Sequence, residues 1–115
     1  MRRGAIVLVD LDSAKQGEAN KQRPGVVVSN DGANATAERT NRGVVTVVPL
    51  TSNTSRIYPF QVFLPATATG LSRDSKAQAE QVRSVSVERL TAIIGELPPA
   101  LMVRIDEALR LHLAL

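Results

Sequence analysis

The sequence of 115 residues contains no cysteine, and this absence excludes several kinds of protein chemistry. Without cysteine the chain can have no disulfide framework, no thiolate zinc site and no cysteine nucleophile. The composition also agrees with a reducing compartment. The one histidine, His112, cannot build a metal site alone. Metal sites made of thiolates or of several histidines are therefore excluded.

Long apolar runs are also absent. No stretch approaches the roughly 18 apolar residues of a membrane-spanning helix, and Met1-Arg2-Arg3 leads into a short strand-like segment rather than a signal peptide. We expect a soluble, cytoplasmic protein that does not bind a membrane. No linker, repeat or low-complexity segment divides the sequence, so residues 1–115 are predicted to form a single domain.

The charge balance favours an anionic partner only weakly, because the 14 Lys and Arg residues exceed the 11 Asp and Glu residues by three. The distribution of the cations is more informative, since most lie in or beside the loops between predicted strands. A basic surface formed by loops suits phosphate contacts. The cations in or beside these loops are Lys15, Lys21, Arg23, Arg39, Arg42, Arg56, Arg73, Lys76 and Arg83.

The stretch KQRPGVVVSN, residues 21–30, places a basic cluster directly before an apolar, β-branched run. Val26–Val28 is predicted to be a buried strand, and Pro24 fits the first residue of a strand or an edge. Arg23 would then lie at the mouth of this strand, where binding groups are common. Arg23 is therefore our first functional candidate, and the alternative is a solvated arginine beside a strand.

The hydrophobic pattern predicts short strands, a marginal helix over residues 33–40, and a terminal amphipathic helix that begins at Pro98-Pro99. We expect Pro49 to end the regular pairing of the third strand, and residues 67–75 to form a turn-rich connection. This pattern predicts a mainly β fold with helices (α+β), arranged as a barrel or sandwich closed by a helix. The predicted strands are residues 5–9, 26–28, 44–48, 60–64, 76–84 and 91–95.

Two features allow more than one interpretation. The loop Thr51–Ser55 is rich in hydroxyl and amide groups, which either cap the loop itself or contact a ligand. The leucine-rich end of the last helix either packs in a dimer or lies across an open barrel end. We expect His112 to pack against that helix's surroundings rather than to act as a catalyst.

Five short motifs occur in an order that covers nearly the whole chain: Val9-Asp10-Leu11; Gly17-Glu18 followed by Arg23–Val28; Val48–Ser52; Arg73-Asp74-Ser75; and Glu80-Gln81-Val82-Arg83. In this order and spacing they resemble the MazF/PemK/Kid family of toxin endoribonucleases. The resemblance implies an SH3-like β-barrel of the PemK/CcdB type with a C-terminal amphipathic helix. It also implies a homodimer that cuts single-stranded RNA without a metal and is neutralised by an acidic, MazE-like antitoxin.

The same resemblance assigns roles to individual residues. It implies that Arg23 and Thr51 are the catalytic pair and that the products carry a 2′,3′-cyclic phosphate and a 5′-hydroxyl. The RNA-binding residues would be Glu18, Lys21, Ser52, Asn53, Glu80 and Gln81, of which Glu18 is also a conceivable general base. The rival hypothesis is a non-catalytic toxin that resembles CcdB in architecture and binds a protein such as gyrase.

Overall fold

The computed structural model describes residues 1–10 and 22–115. The strands are β1 Ala5–Asp10, β2 Gln22–Val27, β3 Val44–Thr51, β4 Gln61–Leu64, β5 Ser75–Gln78, β6 Arg83–Ser86 and β7 Leu90–Glu96. The helices are α1 Asp31–Thr40, α2 Ala66–Thr69 and α3 Pro99–Leu113, and single 3₁₀ turns lie at Ala79–Gln81 and Val87–Arg89. The mainly β fold with a terminal helix is confirmed.

Within the described ranges the strands form one seven-stranded antiparallel sheet in the order β4-β5-β3-β2-β1-β7, with β6 paired to β3. Strand β3 is central because it pairs with three strands. Its first half pairs with β6, and its last two residues, Leu50 and Thr51, pair with β5. Our expectation that Pro49 ends the regular pairing was wrong, because β3 continues through Pro49, which pairs with Gly25 of β2. On the other edge of β3, Pro49 follows the residues that pair with β6 and precedes those that pair with β5. Its missing N–H therefore removes no hydrogen bond from either ladder.

Strand β2 begins four residues before the predicted Val26, so the expectation that Arg23 lies outside the strand was wrong. Arg23 is the second residue of β2 and pairs with Val9 of β1. Pro24 is tolerated inside the strand because the ladder with β3 starts only at Gly25. The polar residues at the start of β2 are ordered by pairing with β1 rather than by their own strand propensity.

Both faces of the central strands are buried, which explains their nearly continuous apolar sequences. Full burial of one valine or isoleucine side chain contributes about 1.5–3 kcal/mol to folding. Because successive side chains of a strand point to opposite faces, alternate residues of β1, β2 and β3 belong to two separate clusters. Ile6, Val26 and Val48 pack towards α3, while Val7, Val27 and Val47 pack in a second cluster that contains Ala37 of α1.

Helix α1 begins earlier than predicted. The helix was predicted over residues 33–40, but it starts at Asp31 with Asn30 as the N-cap, whose Oδ1 accepts a hydrogen bond from Ala33 N at 2.8 Å. Asp31 in the first turn adds a favourable interaction with the helix dipole. A short helix that is marginal alone is thus stabilised by its cap and by the burial of Ala37.

The segment predicted as one strand over residues 76–84 is instead two strands, β5 and β6, separated by the 3₁₀ turn Ala79–Gln81. The break occurs because β5 and β6 pair with different halves of β3. The preceding connection contains the short helix α2, where only turns were expected. Asp74 Oδ1 accepts a hydrogen bond from Ala66 N at 2.8 Å and so satisfies a free donor at the start of α2.

Gly95 of β7 lies against Thr69 of α2, the short helix that follows the opposite end strand β4. A side chain at Gly95 would place its Cβ 2.6 Å from the Thr69 carbonyl oxygen, so only glycine permits this approach. Helix α3 then covers the core with Ile105 and Ala108. The expectation that His112 packs was wrong, since it is exposed near the end of α3. No helix in the described part of the chain is long and apolar enough to cross a membrane.

Candidate active site

Arg23 and Thr51 are brought together by the pairing of β2 with β3. The last pair of that ladder joins Gly25 to Pro49. Arg23 lies two residues before Gly25, and Thr51 lies two residues after Pro49. In an antiparallel pair, extending the register in this way places the two residues opposite each other and on one face.

Arg23 and Thr51 also line the same cleft, which has a volume of about 660 Å³. The cleft has an apolar part formed by Leu8, Pro24, Leu50, Leu71 and Ile94. Its polar part contains Gln22, Arg23, Thr51, Ser52, Ser72, Arg73 and Ser75. A cleft of this size with a few convergent polar groups is the usual form of a binding site.

The electrostatic character of the cleft comes from Arg23 and Arg73. Among the described residues that line it there is no Asp or Glu. Asp74, the neighbour of Arg73 in sequence, instead binds the start of α2. Neither guanidinium makes a hydrogen bond or an ion pair within residues 1–10 and 22–115. Both arginines can therefore offer their donors to an anionic ligand.

The hydroxyl of Thr51 is held by the start of the following loop. Asn53 N donates to Thr51 Oγ1 at 3.2 Å, and Asn53 Oδ1 accepts from Ser55 N at 3.3 Å and Ser55 Oγ at 2.8 Å. The hydroxyl and amide groups of this loop therefore cap the loop itself, which was one of the two interpretations of its sequence. Because Thr51 Oγ1 acts as an acceptor there, its own proton remains able to donate to a ligand.

The structure brings only some of the other predicted RNA-binding residues to this cleft. Ser52 lines it, and Asn53 lies in the loop that follows. Glu18 and Lys21 lie outside the described residues. Gln81 is exposed in the 3₁₀ turn, and Glu80 Oε2 accepts from buried Gln61 Nε2 at 2.7 Å, but neither residue is part of the cleft lining.

Arg73 is the residue that sequence reasoning placed in a loop without assigning it to the site. The signal available was its position in one of the five motifs and among the loop cations. The sequence could not show that α2 and its capping by Asp74 turn the following loop towards Arg23. Within the described residues, no group of three His, Asp or Glu side chains is placed to hold a metal ion.

Comparison with known proteins agrees with this architecture. The family model of the PemK-like, MazF-like toxins of type II toxin-antitoxin systems matches residues 2–113. Endoribonuclease MazF9 of Mycobacterium tuberculosis is 63% identical over 115 residues, which are 100% of this chain and 98% of that protein. Endoribonuclease EndoA of Bacillus subtilis is 30% identical over 115 residues, or 100% of this chain and 96% of EndoA.

Solved structures extend the likeness to three dimensions. An endoribonuclease in complex with its cognate antitoxin from a mycobacterial species matches with a TM-score of 0.73 at 27% identity, covering 100% of this chain and 96% of that chain. A MazE-MazF complex from Deinococcus radiodurans matches with a TM-score of 0.79 at 25% identity, with coverage of 100% and 96%. The resemblance drawn from the five motifs is confirmed, and the chain belongs to the PemK-like, MazF-like toxins of type II toxin-antitoxin systems.

Proposed function

We propose that this protein is a sequence-specific, metal-independent endoribonuclease toxin that cuts single-stranded RNA in the Arg23–Thr51 cleft. The observation that carries the proposal is that Arg23 and Thr51 line one cleft together with a second arginine, and the described lining of this cleft has no carboxylate. Such a cleft favours the phosphates of a nucleic acid. The two relatives named above, at 63% and 30% identity, are themselves endoribonucleases.

The reaction uses the substrate's own 2′-hydroxyl as the nucleophile. Its oxygen forms a bond to the adjacent phosphorus and loses its proton, while the bond from phosphorus to the 5′-oxygen breaks and that oxygen gains a proton. The products are a 2′,3′-cyclic phosphate and a 5′-hydroxyl. Arg23 can grip the non-bridging oxygens with two parallel donors, and the Thr51 hydroxyl can donate to the same developing charge.

The remaining predicted contacts extend this assignment. Ser52 and Arg73 line the cleft, which supports a role for both in holding the RNA backbone. Glu18, as a conceivable general base, and Lys21 remain predictions for the segment that precedes β2. Base reading by Gln81 also remains a prediction, because bases of single strands are read through exposed hydrogen-bonding groups.

The assembly we propose is a homodimer of single-domain subunits in the cytoplasm, inhibited by an acidic, MazE-like antitoxin. The support for a dimer is apolar surface that stays exposed on one chain, including Leu111 at 58% and Leu115 at 84% at the end of α3. The support for an antitoxin is the pair of solved toxin complexes with similar folds, together with a cationic cleft that an acidic peptide could occupy.

The test is incubation of the purified protein with a long, mixed-sequence RNA in EDTA. We expect cleavage at a limited set of sites, each leaving a 5′-hydroxyl end, and loss of cleavage in Arg23→Ala. Mapping those ends on total cellular RNA would identify the sequence that is cut. If no RNA is cut while the protein stays folded, the CcdB-like protein-binding toxin becomes the better explanation.

A further inference from the structure

The loop between β3 and β4 carries an exposed aromatic stack. The sequence has one tyrosine, two phenylalanines and no tryptophan, and all three aromatic residues fall between positions 58 and 63. The rings of Tyr58 and Phe60 are parallel within 3°, with their centroids 5.5 Å apart. Tyr58 is nevertheless 41% exposed. A chain so poor in aromatic residues thus presents a ring to solvent instead of burying it in the core.

Two cations accompany the Tyr58 ring. The Arg56 guanidinium carbon lies 5.7 Å from the ring centroid, and Lys76 Nζ lies 5.9 Å from it. Lys76 Nζ also donates to the Arg56 carbonyl oxygen at 2.6 Å, although Lys76 is only 8% exposed. A stacking ring beside cationic groups is the combination that binds single-stranded nucleic acids without strict sequence preference.

The loop is held in place by a relay of hydrogen bonds through Gln61. Gln61 N donates to the Tyr58 carbonyl oxygen at 2.9 Å, and Gln61 Oε1 accepts from Tyr58 N at 3.1 Å. Gln61 Nε2 donates to Glu80 Oε2 at 2.7 Å. Because Gln61 is buried, the Tyr58 backbone is fixed to the barrel before any ligand arrives, which lowers the entropy cost of binding.

The aromatic stack is one strand away from the cleft. Lys76 of β5 pairs directly with Thr51 of β3, so both side chains leave the sheet on the same face. The Lys76 side chain reaches from that position to the Tyr58 ring. A strand of RNA whose phosphate lies at Arg23 and Thr51 can therefore continue over β5 towards Tyr58.

We propose that Tyr58 is a base-stacking subsite for single-stranded RNA, where an unpaired base that flanks the cut site packs on the exposed ring while Arg56 contacts a neighbouring phosphate. The subsite rests on the proposed endoribonuclease function, to which it adds a contact outside the Arg23–Thr51 cleft. Stacking on one ring accepts any base, so this subsite strengthens RNA binding without choosing the sequence.

The test measures binding of a fluorescein-labelled, fully 2′-O-methylated RNA oligonucleotide of randomised sequence, which cannot be cleaved because its 2′-oxygens are blocked. Loss of one base–aromatic stack should weaken binding by roughly 5- to 150-fold, so we expect that loss for Tyr58→Leu and a change of less than about threefold for Tyr58→Phe. Ile57→Ala is the matched control, since Ile57 is 40% exposed in the same loop but has no ring. Thermal melting of each variant checks that it folds.

Salt separates stacking from charge. The ratio of wild-type to Tyr58→Leu affinity should stay constant as salt rises, whereas Arg56→Gln should lower the slope of log affinity against log salt by about 0.7. If Tyr58→Leu binds the probe within about twofold of wild type, the stacking subsite is overturned even where the wild-type protein cuts RNA. If the wild type cuts no RNA but Tyr58→Leu loses probe binding, the cleavage function fails and the stacking subsite stands. Loss of binding to an acidic antitoxin peptide alone, with the probe unaffected, would make Tyr58 a protein-docking residue and also overturn the proposal.

Discussion

At the scale of single residues, the site contains two arginines with different expected roles. Arg23 lines the cleft together with Thr51, and we expect it to contact the reacting phosphate, whereas Arg73 lines the same cleft from the connection between α2 and β5. A guanidinium supplies a planar, two-pronged contact that an ammonium cannot reproduce. Substituting each arginine therefore shows whether it contacts the transition state or only attracts the RNA by its charge.

Arg23→Lys should lower the single-turnover cleavage rate by roughly 100- to 1000-fold, because loss of one preorganised donor to a developing charge has that effect. Binding of a 2′-O-methylated RNA should change far less, since lysine keeps the charge. Thr51→Ala should behave like Arg23→Lys, and Arg23→Ala should lose both rate and affinity. A rate for Arg23→Lys within about threefold of wild type would reduce Arg23 to a general phosphate contact.

Arg73→Gln should weaken RNA binding and lower the salt slope by about 0.7, the value for loss of one phosphate contact to a single strand. The single-turnover rate at saturating RNA should stay nearly unchanged, because Arg73 is expected to attract substrate and transition state alike. Arg104→Gln is the control, since it removes an exposed arginine on α3 that does not line the cleft. Equal effects of both changes would remove Arg73 from the site.

The sequence assigned Arg23 and Thr51 to one site but missed part of the surroundings of that site. Arg23 and Thr51 were assigned through the resemblance of short motifs, and both line the cleft, while their catalytic roles stay a prediction. Arg73 could not be placed, since its position depends on α2 and on the hydrogen bond from Ala66 to Asp74. Glu80 looked like an exposed strand residue, but its partner Gln61 is 19 positions away in sequence. Contacts of that kind leave no mark on periodicity.

At the scale of elements, the turn that contains Glu80 supports the loop that contains Tyr58. This arrangement gives Glu80 a structural effect that differs from base reading. A glutamine at position 80 could still accept the hydrogen bond from Gln61 Nε2 through its amide oxygen, whereas an alanine could not. The two substitutions therefore separate the two roles.

Glu80→Ala should lower the free energy of unfolding by about 1–3 kcal/mol, because it leaves the buried Gln61 amide without its partner. It should also weaken RNA binding through the displaced loop. Glu80→Gln should come close to wild type in both thermal melting and RNA affinity. A changed ranking of cleavage sites in Glu80→Gln, with normal stability, would instead support direct base reading by the carboxylate.

The close contact between β7 and α2 depends on Gly95. In Gly95→Ala the new Cβ would lie 2.6 Å from the Thr69 carbonyl oxygen, and forcing such contacts apart costs about 1–3 kcal/mol. The melting temperature should fall by about 4–8 °C per kcal/mol in a domain of this size. Gly32→Ala in α1 is the control, because its Cβ would meet only Asn30 Oδ1 at 3.4 Å and alanine favours a helix. Equal melting temperatures for both variants and wild type would show that the contact at Thr69 yields freely.

Element types were more predictable than element boundaries. The strands 44–48, 60–64 and 91–95 were recognised because β-branched and apolar runs fit a buried sheet. The boundaries of the other strands depend on pairing between strands. Pairing with β1 makes β2 begin at Gln22, and the segment 76–84 is split because its two parts pair with different halves of β3. A sequence pattern describes one strand at a time, so it contains little information about where a partner strand begins.

At the scale of the whole molecule, apolar surface remains on one chain. Leu111, Leu113 and Leu115 are exposed at the end of α3, and Ile93 is 60% exposed on the edge strand β7. An apolar helix end of this kind is expected to be covered by a second copy in a symmetric dimer. The last turn of α3 is therefore the place where a new charge should disturb assembly.

Light scattering at micromolar concentration should give the mass of a dimer for the wild type. Leu111→Asp should shift the protein towards monomer, because burying an unpaired carboxylate in an apolar interface is unfavourable. Val44→Asp is the matched control, since Val44 is 57% exposed on β3, away from α3. A wild-type protein that is strictly monomeric and still cuts RNA at its full rate would contradict the dimer.

The shortage of aromatic residues has a practical consequence for experiments on this protein. With one tyrosine and no tryptophan, its ultraviolet fluorescence comes almost entirely from Tyr58, a half-exposed ring in the loop between β3 and β4. The fluorescence of the Tyr58 ring changes when a ligand covers it, so binding at this loop can be measured without an added label. Titration of unlabelled RNA into the native protein can follow contact at Tyr58 directly, and Arg23→Lys, which is expected to keep RNA binding while cutting slowly, shows whether that contact forms before chemistry begins.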